Sequence, residues 1–334
     1  MKKWKIAVVG ASGMVGGELI ELLEKRKFPV ESALFFSSGK NKSFVKFKGK
    51  KYECSAPDLK SLCDCEIVFF VSNEEVSEKY AFRLAEKGIW CIDDSSRFRM
   101  DKRVPLIIPE INGELINEKN KVIAGPNCTL TPLAVGCALI HKKLKIKEIR
   151  VSTYQAVSGA GRKALNSLFE ESSLFLKKSF YRKSPQSPLP HPIAFNIFPQ
   201  VGSFDYLGYS GEENKVSAEL KKIWNSKNIK ISVTAVRVPV VRTHCLSAWI
   251  KTEKNWTISS LEKIFLNTPG AKYLKNYYST PLNTAKTCEV YVSRLRPGAI
   301  EKEFAVWLAG DNLYKGAALN SVQIAEEINR KYAK

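Results

Sequence analysis

The sequence predicts an α/β fold, with a parallel sheet in the first part of the chain and a mixed α+β region in the second. Up to residue 127, short apolar runs alternate with segments of helical period, which is the pattern of a parallel sheet with helices on its faces. From about residue 147 the strand-like runs alternate polar and apolar residues, which indicates half-exposed strands. The final segment, 316–332, is again helical in period.

Length and composition narrow the class of protein. The 334-residue chain is long enough for two domains with sizeable cores, and no apolar run reaches the length needed to cross a bilayer. The eight cysteines lie mostly in apolar runs with no secretory signal before them, so we expect reduced thiols in a cytoplasmic protein. Cys63 and Cys65 are too closely spaced for a zinc knuckle and no second pair follows, so no metal site is expected.

The net charge of +20 has three possible explanations: nucleic-acid binding, attraction of anionic small molecules, or a lysine-rich solvated surface. The lysines are dispersed in small clusters, at 40–51, 142–147 and 177–183. No aromatic residues are interleaved with them in the manner of a nucleic-acid site. We therefore predict a solvated surface that steers anionic substrates, and no nucleic-acid partner.

The chain begins with a strand, a glycine turn and a helix. The strand covers 4–9, the turn GASGMVG covers 10–16 and the helix covers 17–25. Glycines let the backbone approach a pyrophosphate, and the helix N-terminus supplies amides and positive potential. A glycine pattern alone is weak evidence, but its position at the start of an alternating strand–helix region favours dinucleotide binding.

The second strand, 33–36, ends in Ser37-Ser38-Gly39-Lys40 without the acidic residue that often holds the ribose hydroxyls of NAD. Hydroxyls and a lysine suit a 2′-phosphate, so NADP is the predicted cofactor. Strands at 67–71 and 89–93, with a helix at 77–86 between them, continue the parallel pattern. Arg97 and Arg99 follow at the carboxyl edge, where they are candidates for binding an anion.

Cys128 occupies a predicted strand-to-helix elbow. An apolar run at 121–124 precedes Gly125-Pro126-Asn127-Cys128, and a helical segment at 133–140 follows, with Thr129 or Thr131 as its expected cap and Pro132 in its first turn. Helix amides there favour a thiolate, so Cys128 is a candidate nucleophile. The alternative is a small buried apolar residue, which is the commoner role of a cysteine.

The second region is predicted to contain a strand at 149–157, a flexible turn at 158–161, a helix at 162–176 and a proline-rich loop at 184–199. A helix at 213–224 carries Glu219 and Lys222 three residues apart, a spacing that also fits an ordinary surface pair. A β-rich run at 229–241 leads to His244, and three more strands are expected at 246–252, 289–295 and 304–309.

Several separate motifs resemble those of the aspartate-β-semialdehyde dehydrogenase family, in the family's order. They are GASGMVG (10–16), SSRFRMD (95–101), GPNCT (125–129), STYQAVSGAG (152–161), HPIAFN (191–196), RVPVVRTHC (237–245) and DNLYKGAALNSVQIAE (311–326). The resemblance implies a Rossmann domain, 1–127 plus 316–334, and a glyceraldehyde-phosphate-dehydrogenase-like catalytic and dimerisation domain, 128–315. It also implies a homodimer, with further assembly to a homotetramer left open.

The activity implied by the resemblance is reversible, NADPH-dependent reduction of L-4-aspartyl phosphate to aspartate semialdehyde and phosphate, in biosynthesis of lysine, diaminopimelate, threonine and methionine. Cys128 resembles the nucleophile that forms a thioester, and His244 resembles the general acid/base. For the substrate, the resemblance implies orientation by Gln155, oxyanion stabilisation by Asn127, carboxylate binding by Arg237, ammonium binding by Glu219, and phosphate binding by Arg99 and Lys222. For the cofactor, it implies NADP contacts at Gly10, Ser12, Gly13, Met14, Val15, Ser37, Ser38, Ser158, Gly159 and Asn312.

Chemistry supports these assignments independently. A thioester needs a thiolate, the oxyanion formed on reduction needs hydrogen-bond donors, and a histidine of near-neutral pKa suits proton exchange. The chain departs from the family at Gly125, where asparagine is usual, and around His244, where Gly-His-Ser-Glu is usual. It also departs near the cofactor: at Phe36, where an arginine often contacts the 2′-phosphate, and at Ser72-Asn73-Glu74, where Ala-Gly-Gly is usual. The alternatives are N-acetyl-γ-glutamyl-phosphate reductase, which shares the chemistry, and an inactive NADP-binding or nucleic-acid-binding relative.

Overall fold

A computed structural model describes residues 2–178 and 182–333 of the chain. Two compact units are present: an N-terminal unit, Met1–Asn127 with Ala317–Lys334, and a central unit, Cys128–Gly316. The strands are β1 Trp4–Val9, β2 Val30–Phe36, β3 Ser43–Phe47, β4 Lys50–Cys54, β5 Ile67–Phe70, β6 Trp90–Asp93, β7 Val122–Ala124, β8 Ile146–Gln155, β9 Lys230–Arg237, β10 His244–Thr252, β11 Ala271–Leu274, β12 Val290–Pro297 and β13 Glu303–Gly310. The helices are α1 Met14–Lys25, α2 Leu59–Cys63, α3 Glu74–Ala85, α4 Pro109–Asn112, α5 Leu130–Leu144, α6 Gly161–Lys178, α7 Gly211–Ile223, α8 Ile258–Leu266, α9 Pro281–Thr284 and α10 Leu319–Tyr332.

The N-terminal unit is built on a five-stranded parallel sheet in the order β2-β1-β5-β6-β7. Every residue of β5, β6 and β7 is buried, as expected for parallel strands covered on both faces. The C-terminal helix α10 belongs to this unit: Asn320 donates to the carbonyl of Ile107, and the Arg26 guanidinium pairs with Glu326. The carboxyl ends of β1 and β6 carry the glycine turn and the Asp94–Arg99 segment.

The central unit contains a six-stranded mixed sheet in the order β11-β12-β13-β10-β8-β9. Strand β10 runs antiparallel to both β8 and β13, whereas β8 and β9 are parallel. The register pairs Gln155 with Arg237 and His244 with Gly310. Helix α5 packs closely on this sheet, since a Cβ at Gly136 would lie 2.6 Å from a methyl of Leu308.

The architecture confirms the predicted fold class, while several boundaries differ. Helices α1 and α3 each begin three residues earlier than expected, at Met14 and Glu74. Strand β9 ends at Arg237 instead of continuing to residue 241, because the chain then meets Pro239, which has no amide hydrogen for a ladder. The last helix starts with a π-helical turn, Tyr314–Ala318. Within residues 2–178 and 182–333, no helix is long and apolar enough to traverse a bilayer.

Candidate active site

The elbow between β7 and α5 presents Cys128 as predicted, but the helix is not capped as predicted. Thr129 occupies the N-cap position with helical dihedral angles, φ −76° and ψ −37°, and its side chain makes no cap. Its hydroxyl instead donates to Glu212 Oε1 at 2.8 Å. Thr131 lies within the first turn of α5, so the expected cap is wrong at both positions. Cys128 itself is partly exposed, and a Cβ at Gly316 would lie 2.8 Å from its Cβ.

His244, the first residue of β10, lies against Cys128. Its Nε2 is 3.4 Å from Cys128 Sγ, and its Nδ1 accepts a hydrogen bond from the amide of Ala156 at 3.0 Å. The side chain is fully buried. Burial, reinforced by the charge of Arg237 and opposed by a hydrogen bond with the Thr243 backbone, lowers the pKa of His244 to about 3. Burial therefore favours the neutral imidazole, and the acid/base role expected from the sequence stays a prediction.

Gln155 and Arg237 end the neighbouring strands β8 and β9 and are buried side by side. Arg237 Nη1 donates to the carbonyl of Ala156 at 2.6 Å, while its Nε is buried without a partner among the described residues. Burial lowers the pKa of Arg237, and the charges of Glu212 and Cys128 oppose this shift. A buried guanidinium with an unsatisfied N–H suits an anionic ligand group.

A carboxylate that the sequence analysis did not single out completes this group. Glu212 Oε1 accepts from Gln155 Nε2 at 3.3 Å as well as from Thr129, and its charge acts on Arg237. A capping box between Ser210 and Glu213 starts α7 at Gly211 and so places Glu212 in the first turn. The Ser-x-x-Glu sequence at 210–213 could have indicated this helix start, which the sequence analysis placed two residues later.

The two helix residues assigned from the resemblance, Glu219 and Lys222, lie further along α7. Glu219 is seven residues beyond Glu212, about two turns or 10 Å along the axis. Its side chain is 1% exposed. The substrate roles of Glu219 and Lys222 stay predictions.

Ser158, Gly159 and Asn312 border His244. A Cβ at Gly159 would lie 3.1 Å from His244 Nε2 and 3.4 Å from Arg237 Nη1, so only glycine leaves these groups undisturbed. Asn312 Nδ2 donates to the Ser158 hydroxyl at 3.0 Å, and its Oδ1 accepts from the amide of Thr243 at 2.8 Å. These contacts hold Thr243, the residue before His244, in place. The cofactor contacts predicted for Ser158, Gly159 and Asn312 stay predictions.

The glycine turn of the N-terminal unit has the form of a phosphate cradle. Gly10 has φ +96°, and a Cβ there would lie 2.5 Å from the Val71 carbonyl oxygen. A Cβ at Gly16 would lie 2.3 Å from the Gly10 oxygen. Gly13 is the N-cap of α1 with no side-chain cap, and the helix opens with Met14 and Val15. Exposed backbone amides at an uncapped helix start fit a pyrophosphate.

The remaining predicted residues of the N-terminal unit differ in accessibility. Ser38 is exposed, whereas Ser37 is buried and accepts a hydrogen bond from Ser43 at 3.0 Å. Phe36 is 2% exposed and belongs to the core. Arg99 is also buried and donates to the Asp94 carbonyl at 2.8 Å. Asn127 is buried at the end of this unit. In the described parts of the chain, no cluster of three or more His, Cys, Asp or Glu side chains is arranged to hold a metal ion.

Comparison with known proteins places this geometry in a class of oxidoreductases. Residues 5–119 match the family model for the NAD binding domain of semialdehyde dehydrogenases, and residues 137–315 match the model for their dimerisation domain. The aspartate-semialdehyde dehydrogenases of Aquifex aeolicus and Rickettsia conorii are 37% and 38% identical to the chain. The alignments cover 97% of both chains for the first and 99% of both for the second. The chain belongs to the aspartate-semialdehyde dehydrogenase family.

The solved structures agree with this assignment. The crystal structure of aspartate semialdehyde dehydrogenase II from Vibrio cholerae superposes with a TM-score of 0.94 at 32% identity, covering 99% of this chain and 100% of that one. A second structure of that enzyme is described as complexed with ASA, at 31% identity and the same TM-score. The prediction of family and enzyme class is confirmed.

Proposed function

We propose that this protein reduces L-4-aspartyl phosphate with NADPH to aspartate semialdehyde and phosphate, reversibly, through a thioester on Cys128. The observation that carries the proposal is the 3.4 Å approach of His244 Nε2 to Cys128 Sγ in a buried setting that also holds Arg237 and Glu212. A donor beside the sulfur stabilises the thiolate. The thiolate attacks the acyl carbon, forming the C–S bond, and the C–O bond to phosphate breaks with its electron pair leaving on phosphate.

Recognition of an amino acid requires a cation for its carboxylate and an anion for its ammonium. The buried Nε of Arg237, which has no partner among the described residues, is assigned to the α-carboxylate. Two carboxylates of α7 are candidates for the ammonium: Glu219, which the family resemblance indicates, and Glu212, which accepts from Gln155 and Thr129. Arg99 is assigned to the phosphate group.

The cofactor is assigned to the glycine turn. The amides that open α1 receive the pyrophosphate, and the exposed Ser38 and Lys40 after β2 receive a 2′-phosphate, which favours NADP over NAD. Bound there, the reduced nicotinamide would supply the hydride for the thioester carbonyl. The carbonyl oxygen then re-forms its double bond as the C–S bond breaks, the electron pair of that bond returns to Cys128 Sγ, and the aldehyde is released. The match to a dimerisation domain supports a homodimer, and the reduced cysteines support a cytoplasmic location.

The nearest competing substrate is an N-acylated amino-acid phosphate. Such a substrate has no ammonium, so it would lose the ionic contact with the carboxylate of the site at a cost of a few kcal/mol. The Glu212–Arg237 arrangement therefore favours a free amino acid.

The test is an assay in the reverse direction with aspartate semialdehyde, phosphate and either NADP or NAD. We expect phosphate-dependent reduction of NADP, little reduction of NAD, and no turnover with N-acetylglutamate semialdehyde. Cys128→Ala should abolish turnover while NADP still binds, as measured by fluorescence titration. Turnover retained by this variant would contradict the proposed nucleophile.

A further inference from the structure

Asp311 is a fully buried carboxylate that directly follows β13. Its Oδ1 accepts hydrogen bonds from the amides of Leu313 and Tyr314 at 2.9 and 3.0 Å. Its Oδ2 accepts from the amide of Lys286 and from Nε of Arg242, both at 2.5 Å. A buried carboxylate costs free energy unless it is paired and hydrogen-bonded, and these donors meet that need. Asp311 therefore joins three separate segments of the central unit.

The Arg242 end of this ion pair lies two residues before His244. The Arg242 side chain is 12% exposed, and its guanidinium carbon lies 4.8 Å from the centroid of the Tyr314 ring. The chain then passes through Thr243, whose φ is +81°. A β-branched residue keeps such a conformation only when its surroundings impose it. The ion pair of Arg242 and the hydrogen bond from the Thr243 amide to Asn312 supply that constraint.

The conformation of Thr243 reaches the His244 ring itself. The buried ring makes a hydrogen bond with the backbone of Thr243. His244 is also paired, in the ladder of β10 and β13, with Gly310, the residue directly before Asp311. The position of the ring is therefore set from the two chain segments that the Arg242–Asp311 ion pair joins.

The Asp311 end of the ion pair reaches Cys128. The Asp311 carbonyl accepts a hydrogen bond from the Gly316 amide at 3.0 Å, within the segment that forms the π-helical turn. A Cβ at Gly316 would lie 2.8 Å from the Cβ of Cys128, so the backbone of this segment packs directly on the cysteine. One ion pair thus controls the path of the chain next to both Cys128 and His244, whose Sγ and Nε2 atoms are 3.4 Å apart.

We propose that Arg242 and Asp311 are a positioning pair, which holds His244 against Cys128 by fixing Thr243 on one side and the 311–316 segment on the other. Loss of the guanidinium would release Thr243 to relax away from its positive φ and carry the imidazole with it. A displacement of about 1 Å at a reacting group can cost about 100-fold in rate. The inference rests on the proposed function for its kinetic readout.

A second ion pair on the same strands provides the matched control. Arg150 pairs with Glu303, whose side chain is 2% exposed. Glu303 lies opposite Lys251 in the ladder of β10 and β13, about 23 Å along β10 from His244. Like the Arg242–Asp311 pair, it joins a buried carboxylate to an arginine, but at the far end of the strands. Arg150→Gln therefore shows what the loss of such a pair does to stability alone.

The test compares Arg242→Gln with Arg150→Gln in the full-length enzyme. For Arg242→Gln, kcat in the reverse assay should fall about 10- to 100-fold, while the KM for aspartate semialdehyde stays within about threefold. Because a donor beside the sulfur stabilises the thiolate, the pH midpoint for alkylation of Cys128 by iodoacetamide should rise by about one unit. Mass spectrometry of the Cys128 peptide measures this midpoint without substrate. Arg150→Gln should change neither kcat nor the midpoint.

Wild-type kcat in Arg242→Gln, a fall in kcat without a shift in the alkylation midpoint, or equal changes in the two variants would overturn the proposal. Arg242→Lys keeps a cation for Asp311 but lacks the planar group that stacks on Tyr314, so its kcat and midpoint should lie between those of wild type and Arg242→Gln. Should the glutamine variant not fold, Arg242→Lys decides alone: parallel changes in kcat and midpoint support the pair, and wild-type values of both overturn it.

Failure of the proposed function would give a different result. The wild type would then show no turnover, whereas the alkylation midpoint of Cys128 would still respond to Arg242→Gln, because it does not depend on the substrate.

Discussion

The glycine turn before α1 and the reaction centre, formed by Cys128, Gln155, Glu212, Arg237 and His244, differ in what they present to a ligand. The turn presents backbone: its glycines leave no room for a Cβ at residues 10 and 16. The proposed reaction centre presents polar side chains, of which Gln155, Arg237 and His244 are buried, and burial shifts the pKa of Arg237 and His244 downward. The difference teaches that substitutions in the turn act through steric fit, whereas those in the centre act through charge and hydrogen bonding.

The largest expected effect that sharpens this comparison is at Glu212. Glu212→Gln keeps the shape of the side chain and removes the charge that the substrate ammonium needs, so the KM for aspartate semialdehyde should rise about 10- to 100-fold. Glu219→Gln is the matched comparison on the same helix, and the variant with the larger rise in KM identifies the carboxylate that binds the ammonium. Initial rates over a range of substrate concentrations measure both. A rise in KM confined to Glu219→Gln would restore the assignment made from the sequence.

The next largest effect concerns Asp94, a buried carboxyl group in the N-terminal unit. Buried titratable groups are therefore not confined to the reaction centre. Asp94 accepts from the Ser321 hydroxyl at 2.7 Å, its Oδ2 has no partner among the described residues, and burial raises its pKa to about 6. The folded chain therefore binds this proton more tightly than the unfolded chain. Its contribution to stability is fully present below about pH 4 and is lost as pH rises through 6.

Asp94→Asn removes the loss of stability at higher pH, because asparagine does not ionise. Its side-chain oxygen still accepts a hydrogen bond from Ser321. At pH 7.5 the free energy of unfolding should rise by about 2–3 kcal/mol, and the gain over wild type should shrink toward zero as pH falls to 4. Urea unfolding at several pH values measures this difference. Equal pH dependence in the two proteins would show that Asp94 does not titrate in this range.

Gly125 leaves the space that the Asp94 carboxyl group occupies. A Cβ at residue 125 would lie 2.4 Å from Asp94 Oδ1, and the family usually has asparagine at this position. The glycine at this position is therefore a packing requirement of Asp94.

The sequence could predict features that depend on local pattern and not those that depend on tertiary burial. The elbow at Cys128 and the parallel sheet follow from periodicity, proline and glycine. Helix α7, by contrast, carries the Glu-x-x-Lys spacing twice, at 212–215 and 219–222, on nearly the same face. The fold distinguishes the two copies, because the capping box at Ser210 places Glu212 in the first turn of α7, whereas Glu219 is buried two turns further along. The lowered pKa of His244 follows from complete burial beside Arg237, which no spacing encodes.

The smallest expected effect concerns Thr243, where the reaction centre itself departs from favourable backbone geometry. Its φ is +81°, a region that β-branched residues rarely adopt, and its buried hydroxyl has no partner among the described residues. Strain of this kind costs of order 1–3 kcal/mol, and it is found most often at functional sites. Thr243 also fixes the path of the chain into His244, because its backbone amide donates a hydrogen bond to Asn312 Oδ1.

Thr243→Gly should therefore raise the free energy of unfolding by about 1 kcal/mol, since relief of backbone strain exceeds the loss of the buried methyl and the added freedom of the unfolded chain. Thr243→Val is the matched control, because it removes the buried hydroxyl but keeps the β-branch. Urea unfolding midpoints measure both. If the strain resides in the backbone, glycine stabilises more than valine; an equal gain from valine would place the cost in the unpaired hydroxyl instead.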